Sequence, residues 1–184
     1  KNYGYTQWID IPSFVDYFVL NEFTCNIDAG RLSTYVYKDI TEKYKTCVWD
    51  FNNACDNYME LHVNMHNFDT QNRLFYHMLC RDEDFTEAII ARYNELRQGV
   101  LSEEYLMNYI DQTIAYLGPA IDRNFDKWGY SFQPEYNLLK GEDREICSYD
   151  EAIGQLKEFL IERGSWMDQN IDAIREFSAE SAVK

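Results

Sequence analysis

The chain has few basic residues for its length. It carries 17 Lys and Arg against 32 Asp and Glu, so the formal net charge is −15. Non-specific binding to nucleic acid and adsorption to an anionic membrane both need a positive face, and this composition argues against both. An acidic protein still binds phosphates where a metal ion supplies positive charge locally.

Long apolar runs are also missing. No stretch of about 18 apolar residues occurs, so no membrane span is expected. The five cysteines include no CxxC pair, which excludes a zinc ribbon and leaves scattered buried thiols or one disulfide. No repeat or linker divides the 184 residues. We therefore predict one domain over residues 1–178 and a frayed tail over 179–184.

Apolar residues recur at helical spacing over most of the chain. Asp10 and Ser102 are candidate N-caps, and the segment 148–151 reads as a capping box. Residues 51–70 and 129–141 read as loops. The pattern predicts a mainly α fold with a small β-hairpin, an α+β arrangement. The predicted helices cover about 10–25, 73–80, 82–98, 102–117, 120–128, 148–163 and 165–177.

Two alternating runs, 33–38 and 44–49, predict the hairpin, because both are rich in aromatic and β-branched residues. Asp28 precedes the first run and Asp50 follows the second. Antiparallel pairing brings residues at these ends together, and directly opposed Cα atoms lie roughly 5 Å apart. Two carboxylates meeting at the open end of a hairpin suit a hard cation and a phosphate.

The order of these segments resembles the C-terminal lobe of a protein kinase. There a catalytic Asp precedes a hairpin and a metal-binding Asp-Phe-Gly follows it. Here Asn26-Ile27-Asp28 and Asp50-Phe51-Asn52 stand in those places. More specifically, the chain is similar to the CotH kinase family, named for spore coat protein H, from about residue 7 to 170. The resemblance is carried by segments 14–23, 26–28, 31–39, 48–52, 92–97, 123–128 and 160–168.

The resemblance implies a role for each residue of the site. Asp28 would be the catalytic residue that orients the substrate hydroxyl, and Asp50 would hold Mg²⁺ or Mn²⁺ against the phosphates of ATP. Ser33 stands where the kinase pattern has a second metal-ligating Asn, and Asn52 where many members have a second acid. These two are the candidate cofactor-binding residues, and both depart from the family pattern.

The implied function is phosphoryl transfer from ATP to Ser or Thr of surface or coat proteins, in a bacterial protein that is extracellular, on the cell surface or in the spore coat. The residues before the first helix offer no Gly-rich loop and no phosphate-binding Lys. We therefore expect the chain to be the C-terminal lobe of a kinase domain without its N-terminal lobe. In isolation this lobe is expected to be inactive. Its partner would be a protein substrate or coat protein, and a homodimer is expected to cover apolar surface exposed around the hairpin.

Two other functions remain open. Ser33 and Asn52 favour a non-catalytic pseudokinase or a structural module of a spore-coat or cell-surface assembly. The abundance of Trp and Tyr allows a helical carbohydrate-associated domain.

His62, His66 and Asp69 have the spacing of a zinc site if they lie on a helix, and are otherwise solvated. The arginines at 31, 92, 97 and 123 could face phosphate, although ion pairs with the many acids are the simpler explanation. The aromatic side chains at 14, 18, 105, 109 and 166 are expected in the core.

Overall fold

The computed structural model describes residues 4–139 and 146–179, and the predicted tail beyond residue 179 lies outside this part. Helices dominate, and one two-stranded antiparallel sheet accompanies them, as predicted. The domain limits at 1–178 stay a prediction. The helices are α1 (Ile11–Phe23), α2 (Tyr76–Leu79), α3 (Glu83–Arg97), α4 (Glu103–Leu117), α5 (Pro119–Trp128), α6 (Tyr149–Asn170) and α7 (Arg175–Ala179), and the strands are β1 (Tyr35–Tyr37) and β2 (Lys45–Cys47). Among the described residues, no helix has both the length and the apolar character needed to cross a bilayer.

Helix α1 is the centre of the core and starts where its capping residue predicts. The Asp10 carboxylate accepts a hydrogen bond from the Ser13 backbone N–H at 3.0 Å, and Pro12 occupies the first turn. Phe18 and Val19 are fully buried. Helices α3 and α6 pack against α1, so the residues that follow α1 leave from a rigid support.

The hairpin is shorter than the alternating pattern predicts. Tyr35 pairs with Cys47, and the ladder ends at these residues. The reason is local, because Ser33 and Asp50, just beyond the strands, adopt positive φ angles of 44° and 58° that lie outside the β region. The hairpin is anchored to α1 by Thr46, whose N–H donates to the Ser13 hydroxyl at 2.9 Å.

Helix α6 corrects the prediction of two separate helices at the C-terminal end. It runs without a break through Gly164 and Ser165, where one helix was predicted to stop and another to begin. Gly164 allows the guanidinium group of Arg97 to lie against the helix, since a Cβ there would meet it at 3.1 Å. The glycine therefore serves close packing, and it does not end the helix.

Helices α4 and α5 lie at the margin of the core, and none of their residues is buried. Ser102 caps α4 as predicted, accepting from the Tyr105 N–H at 3.2 Å. The prediction that Tyr105 and Tyr109 are core residues is wrong, because they are 47% and 61% exposed. The edge of α4 that does meet the core is carried by Leu106 and Ile110, one position further along each turn. Phe14 and Phe18 are buried as predicted, and Trp166 is half-buried.

Apolar side chains are exposed around the hairpin, as the sequence predicts. They include Trp8, Leu32, Tyr35, Val36, Tyr37, Ile40 and Trp49. Surfaces of this kind usually mark contact with another protein or domain. The homodimer predicted to cover this surface stays a prediction.

Candidate active site

The loop after α1 holds Asp28 in a tight turn. Asn26 Nδ2 donates to Asn21 Oδ1 at 2.9 Å, which ties the start of the loop to the last turns of the helix. The Asp28 carbonyl then accepts from the N–H groups of Arg31 and Leu32 at 3.0 and 2.9 Å. Asp28 is partly buried, and these bonds fix the backbone on either side of it.

Arg73 secures the same loop from the opposite side. It is 6% exposed, and its Nη1 lies within hydrogen-bond distance of the carbonyls of Asn26, Ile27 and Ala29, at 3.3 Å for Asn26 and 2.9 Å for Ala29. Its Nη2 pairs with Asp69. Carbonyl oxygens only accept hydrogen bonds, so those around Asp28 need a donor from elsewhere. One guanidinium group supplies it. Arg73 was not predicted as a site residue, since nothing in the sequence distinguishes it from an ordinary arginine at the start of a predicted helix.

The two candidate aspartates each have a partner in this loop cluster. Asn53 Nδ2 donates to Asp28 Oδ2 at 2.8 Å, and the Ser33 hydroxyl donates to Asp50 Oδ2 at 3.3 Å. Asn53 is three residues beyond Asp50, so it joins the two aspartate loops. The predicted convergence therefore runs through Asn53, and Asp28 lies in a turn and is not an opposed residue of the ladder. Asn52 is exposed, with its amide toward Asn53 at 3.4 Å.

Backbone strain is concentrated here. In the described part of the chain, the non-glycine residues with positive φ all fall between residues 25 and 74: Cys25, Ser33, Asp50, Cys55, Asp56 and Leu74. Such conformations cost on the order of 1–3 kcal/mol each and persist where surrounding contacts enforce them, which is frequent at functional sites. Ser33 and Asp50 are both strained and bonded to each other.

The oxygen donors around Asp50 suit a hard cation that is shared with phosphates. Mg²⁺ is usually held by one or two carboxylates together with substrate phosphates and water. Asp50 is exposed, and the Ser33 hydroxyl lies beside it. Within residues 4–139 and 146–179, no group of three or more His, Cys, Asp and Glu could hold a metal by itself. A cation beside Asp50 would therefore need ligands from outside this group of residues.

The alternative zinc site is contradicted by the geometry. Residues 62–69 form a loop and not a helix, and the three candidate ligands face different partners. His62 Nδ1 lies 2.6 Å from Asp56 Oδ2, His66 Nε2 lies 3.0 Å from Glu162 Oε1, and Asp69 pairs with Arg73. The i, i+4 spacing that suggested zinc has no meaning outside a helix.

Among the four arginines considered for phosphate binding, two are engaged elsewhere. Arg92 forms an ion pair with Asp16 at 2.6 Å, and Arg97 donates two hydrogen bonds to the Asp168 carboxylate, at 2.8 and 2.6 Å. The hydrogen bond from Arg97 lowers the pKa of the Asp168 carboxyl below its usual value. These residues are structural, as the simpler explanation predicted. In the described residues, the guanidinium groups of Arg31 and Arg123 have no acidic partner.

A cavity of about 340 Å³ lies between the Asp28 loop and the loop 58–73. Its wall includes Ile27 and Arg31 on the first side and Tyr58, Asn64 and the arginine at position 73 on the second. Cavities of this size hold a small ligand or a side chain of a bound peptide. Ile27, which lines the cavity, directly precedes Asp28, so the cavity lies beside the Asp28 loop.

The thiols near the site are protonated at neutral pH. Burial raises the pKa of Cys25 and Cys55 to about 12, and that of Cys80 to about 12 as well. The thiolate is the nucleophilic form of cysteine, so these side chains are unsuited to covalent catalysis. Of the two options left by the sequence, the free thiol describes these three cysteines, of which Cys80 is buried and Cys25 and Cys55 are half-buried.

Gly30 provides a direct test of the loop geometry. Its φ is +72°, and an added Cβ would lie 2.7 Å from Arg73 Cβ. We expect Gly30→Ala to lower the free energy of unfolding by about 2–4 kcal/mol, since it combines left-handed strain with overpacking. Urea denaturation followed by circular dichroism measures the change.

Gly154→Ala is the matched control for that substitution. Gly154 lies inside α6 with open space around the position of a Cβ. There alanine should stabilise the helix by about 0.5–1 kcal/mol. Equal effects of the two substitutions would show that Gly30 and Arg73 are not in close contact.

Comparison with known proteins gives one clear match. A family model described as CotH kinase protein matches residues 2–167, which is most of the chain and includes the Asp28 loop, the hairpin and Asp50. No curated protein matches the chain.

Proposed function

The chain belongs to the CotH kinase family, and from this premise we propose that it carries the acidic half of a phosphoryl-transfer site acting on Ser or Thr hydroxyls of proteins. The observation that supports the proposal most is the joining of two acidic loops, distant in sequence, through the Asn53–Asp28 and Ser33–Asp50 hydrogen bonds. The family suggests ATP as the donor and a divalent cation as the cofactor.

Each residue then has a distinct task. Asp28 orients the substrate hydroxyl and accepts its proton, and Asn53 holds the Oδ2 atom so that the carboxylate keeps one orientation. Asp50 and the Ser33 hydroxyl would hold Mg²⁺ or Mn²⁺ beside the nucleotide, and Asn52 would contribute its amide oxygen. When bound, the cation neutralises charge on the phosphates. The proposal assigns the chain to the C-terminal lobe of the kinase fold.

We also propose the setting that the family resemblance implies. The substrates are proteins of a bacterial surface or spore coat, and the protein acts outside the cytoplasm. A second copy covers the apolar surface around the hairpin. Sedimentation of the native protein tests the last point, and a monomer at micromolar concentration would refute it.

Phosphoryl transfer by the native full-length protein tests the proposal. The assay uses labelled ATP with Mg²⁺ or Mn²⁺ and compares wild type with Asp28→Asn and Asp50→Asn. We expect Asp28→Asn to lower the rate by about 10²–10⁴-fold, as is typical for the loss of a general base, and Asp50→Asn to lower it as well, because it removes the proposed cation ligand. Asp126→Asn, an exposed aspartate of α5, is the matched control and should transfer at the wild-type rate.

The second candidate function is a non-catalytic pseudokinase or an interaction module of a surface assembly. It is favoured by Ser33, which stands where the kinase pattern has a metal-ligating Asn, and by Asn52, which stands where many family members have an acid. Both are weaker ligands for a cation. A folded wild-type protein that transfers no phosphate with either cation would support this alternative and refute the first.

A further inference from the structure

The cavity beside Asp28 contains one positive charge that the protein does not neutralise. Three guanidinium groups lie in or next to its wall, those of Arg31, Arg73 and Arg163. Glu22 pairs with Arg163 at 2.8 Å, and Asp69 pairs with Arg73. Arg31 has no acidic partner among the described residues.

Among the described residues, most arginines are paired with a carboxylate, and Arg31 is an exception. Acids outnumber bases by 32 to 17. The backbone at Arg31 is fixed, because its N–H donates to the Asp28 carbonyl at 3.0 Å and Gly30 beside it is packed on Arg73, while the side chain is exposed at the mouth of the cavity. An immobile backbone that presents a free guanidinium group to a cavity is a typical arrangement for binding an anion.

The buried arginine in the same wall gives a second, independent indication. Arg73 is 6% exposed, and its Nε–H has no acceptor among the described residues. A buried donor without a partner costs free energy that an incoming acceptor recovers. Burial lowers the pKa of Arg73, and the neighbouring charge of Arg31 lowers it further, which places the two cations close together. An anion between them would relieve that repulsion.

We propose that this cavity binds an anionic side chain of the peptide substrate, one or two positions from the hydroxyl that Asp28 orients. This inference rests on the proposed function and specifies its substrate class as peptides with an acidic or phosphorylated residue beside the acceptor. Ile27 lines the cavity and adjoins Asp28, so the cavity begins about one residue length from Asp28. Neighbouring residues of an extended bound peptide are about 3.3–3.6 Å apart, which sets the spacing between its anionic side chain and its acceptor hydroxyl. Asparagine side chains at 21, 26, 64 and 67 also line the wall, and its two carboxylates, Glu22 and Asp69, are each paired with an arginine.

The overall charge of the protein makes the proposal easy to test. A net charge of −15 repels an acidic peptide at long range. A preference for glutamate over glutamine must therefore come from a local cation. Any non-specific electrostatic effect would have the opposite sign.

Fluorescence anisotropy with the native full-length protein measures this preference without ATP or catalysis. The probes are short labelled Gly–Ala peptides with alanine at the acceptor position and glutamate, glutamine or phosphoserine next to it. We expect wild type to bind the glutamate peptide about tenfold more tightly than the glutamine peptide, a difference typical of one charge-assisted hydrogen bond. Arg31→Gln should reduce that ratio to about one, and Arg31→Lys should retain part of it.

Arg123→Gln is the matched control, because Arg123 is equally unpaired but lies on α5, away from the cavity. It should leave the ratio at the wild-type value. Tighter binding of phosphoserine than of glutamate would identify phosphate as the preferred source of the anion. Equal binding of the glutamate and glutamine peptides to wild type, or a ratio that survives in Arg31→Gln, would overturn the proposal. A preserved ratio in a protein that transfers no phosphate would refute the kinase function and leave the anion site standing.

Discussion

Replacing Arg163 with Met is expected to lower the free energy of unfolding by about 3–5 kcal/mol, since removal of one partner leaves a buried charge uncompensated. Arg163 and Glu22 are 0% and 3% exposed and lie 2.8 Å apart. Domains of this size are stable by about 5–15 kcal/mol, so the loss is a large fraction of the total. Urea denaturation monitored by circular dichroism gives the value.

The size of this effect follows from what Arg163 joins. Its guanidinium group donates to the Glu22 carbonyl at the end of α1 and to the carbonyls of Met65 and Asn67 in the loop after the site. It also lies 4.8 Å from the ring of Trp166. The Glu22 carboxylate in turn accepts from the Thr70 N–H at 2.8 Å. Loss of Arg163 therefore releases the loop 61–70 as well as the charge.

Two further variants separate the charge from the packing. Glu22→Gln combined with Arg163→Met should be less destabilised than the sum of the single variants, because no buried charge remains. Arg175→Met removes an arginine of an exposed ion pair with Glu87 and should have a much smaller effect. An Arg163→Met protein as stable as Arg175→Met would contradict the account of the buried pair.

Replacing Arg73 with Met is expected to slow phosphoryl transfer by about 100-fold, since a catalytic group displaced by about 1 Å loses that much rate. Arg73 binds the loop carbonyls on both sides of Asp28 and touches neither Asp50 nor Ser33 in the described contacts. It is therefore a positioning residue. The turnover number should fall while the affinity for Mg²⁺–ATP stays near the wild-type value.

Arg73→Lys keeps the charge but cannot reach several carbonyls from one planar group, so we expect a loss between those of wild type and Arg73→Met. Hydrogen exchange at residues 26–32 should rise in both variants. A fall in nucleotide affinity equal to the fall in turnover would indicate general unfolding and contradict the positioning role. Circular dichroism at the assay temperature shows directly whether the variants are folded.

Local features of the fold could be predicted from the sequence, because they depend on neighbouring residues. The caps at Asp10, Ser102 and Ser148 are formed by side chains that accept from the N–H three residues ahead. The hairpin follows from alternation alone, except at its ends. There Ser33 and Asp50 adopt positive φ angles, which their residue types alone do not predict.

The site could be predicted in part. The sequence predicted Asp28, Asp50 and Ser33 as candidates, and the structure places them in one loop cluster with Asn53, while their roles stay predictions. Arg73 and Arg163 were not recognised, because the carbonyls they bind lie 44–47 and 96–141 positions away in the chain. A buried arginine looks like an exposed one in sequence, since its burial depends on carbonyl groups contributed by distant loops.

The central claim is that Asp50 binds the cation and Asp28 orients the hydroxyl. Its most direct test is the binding of Mn²⁺–ATP to the native full-length protein, followed by electron paramagnetic resonance of Mn²⁺. The account predicts that wild type and Asp28→Asn bind Mn²⁺–ATP with similar affinity and that Asp50→Asn loses most of that binding. Wild-type affinity in Asp50→Asn would contradict it, because Asp50 would then hold no cation.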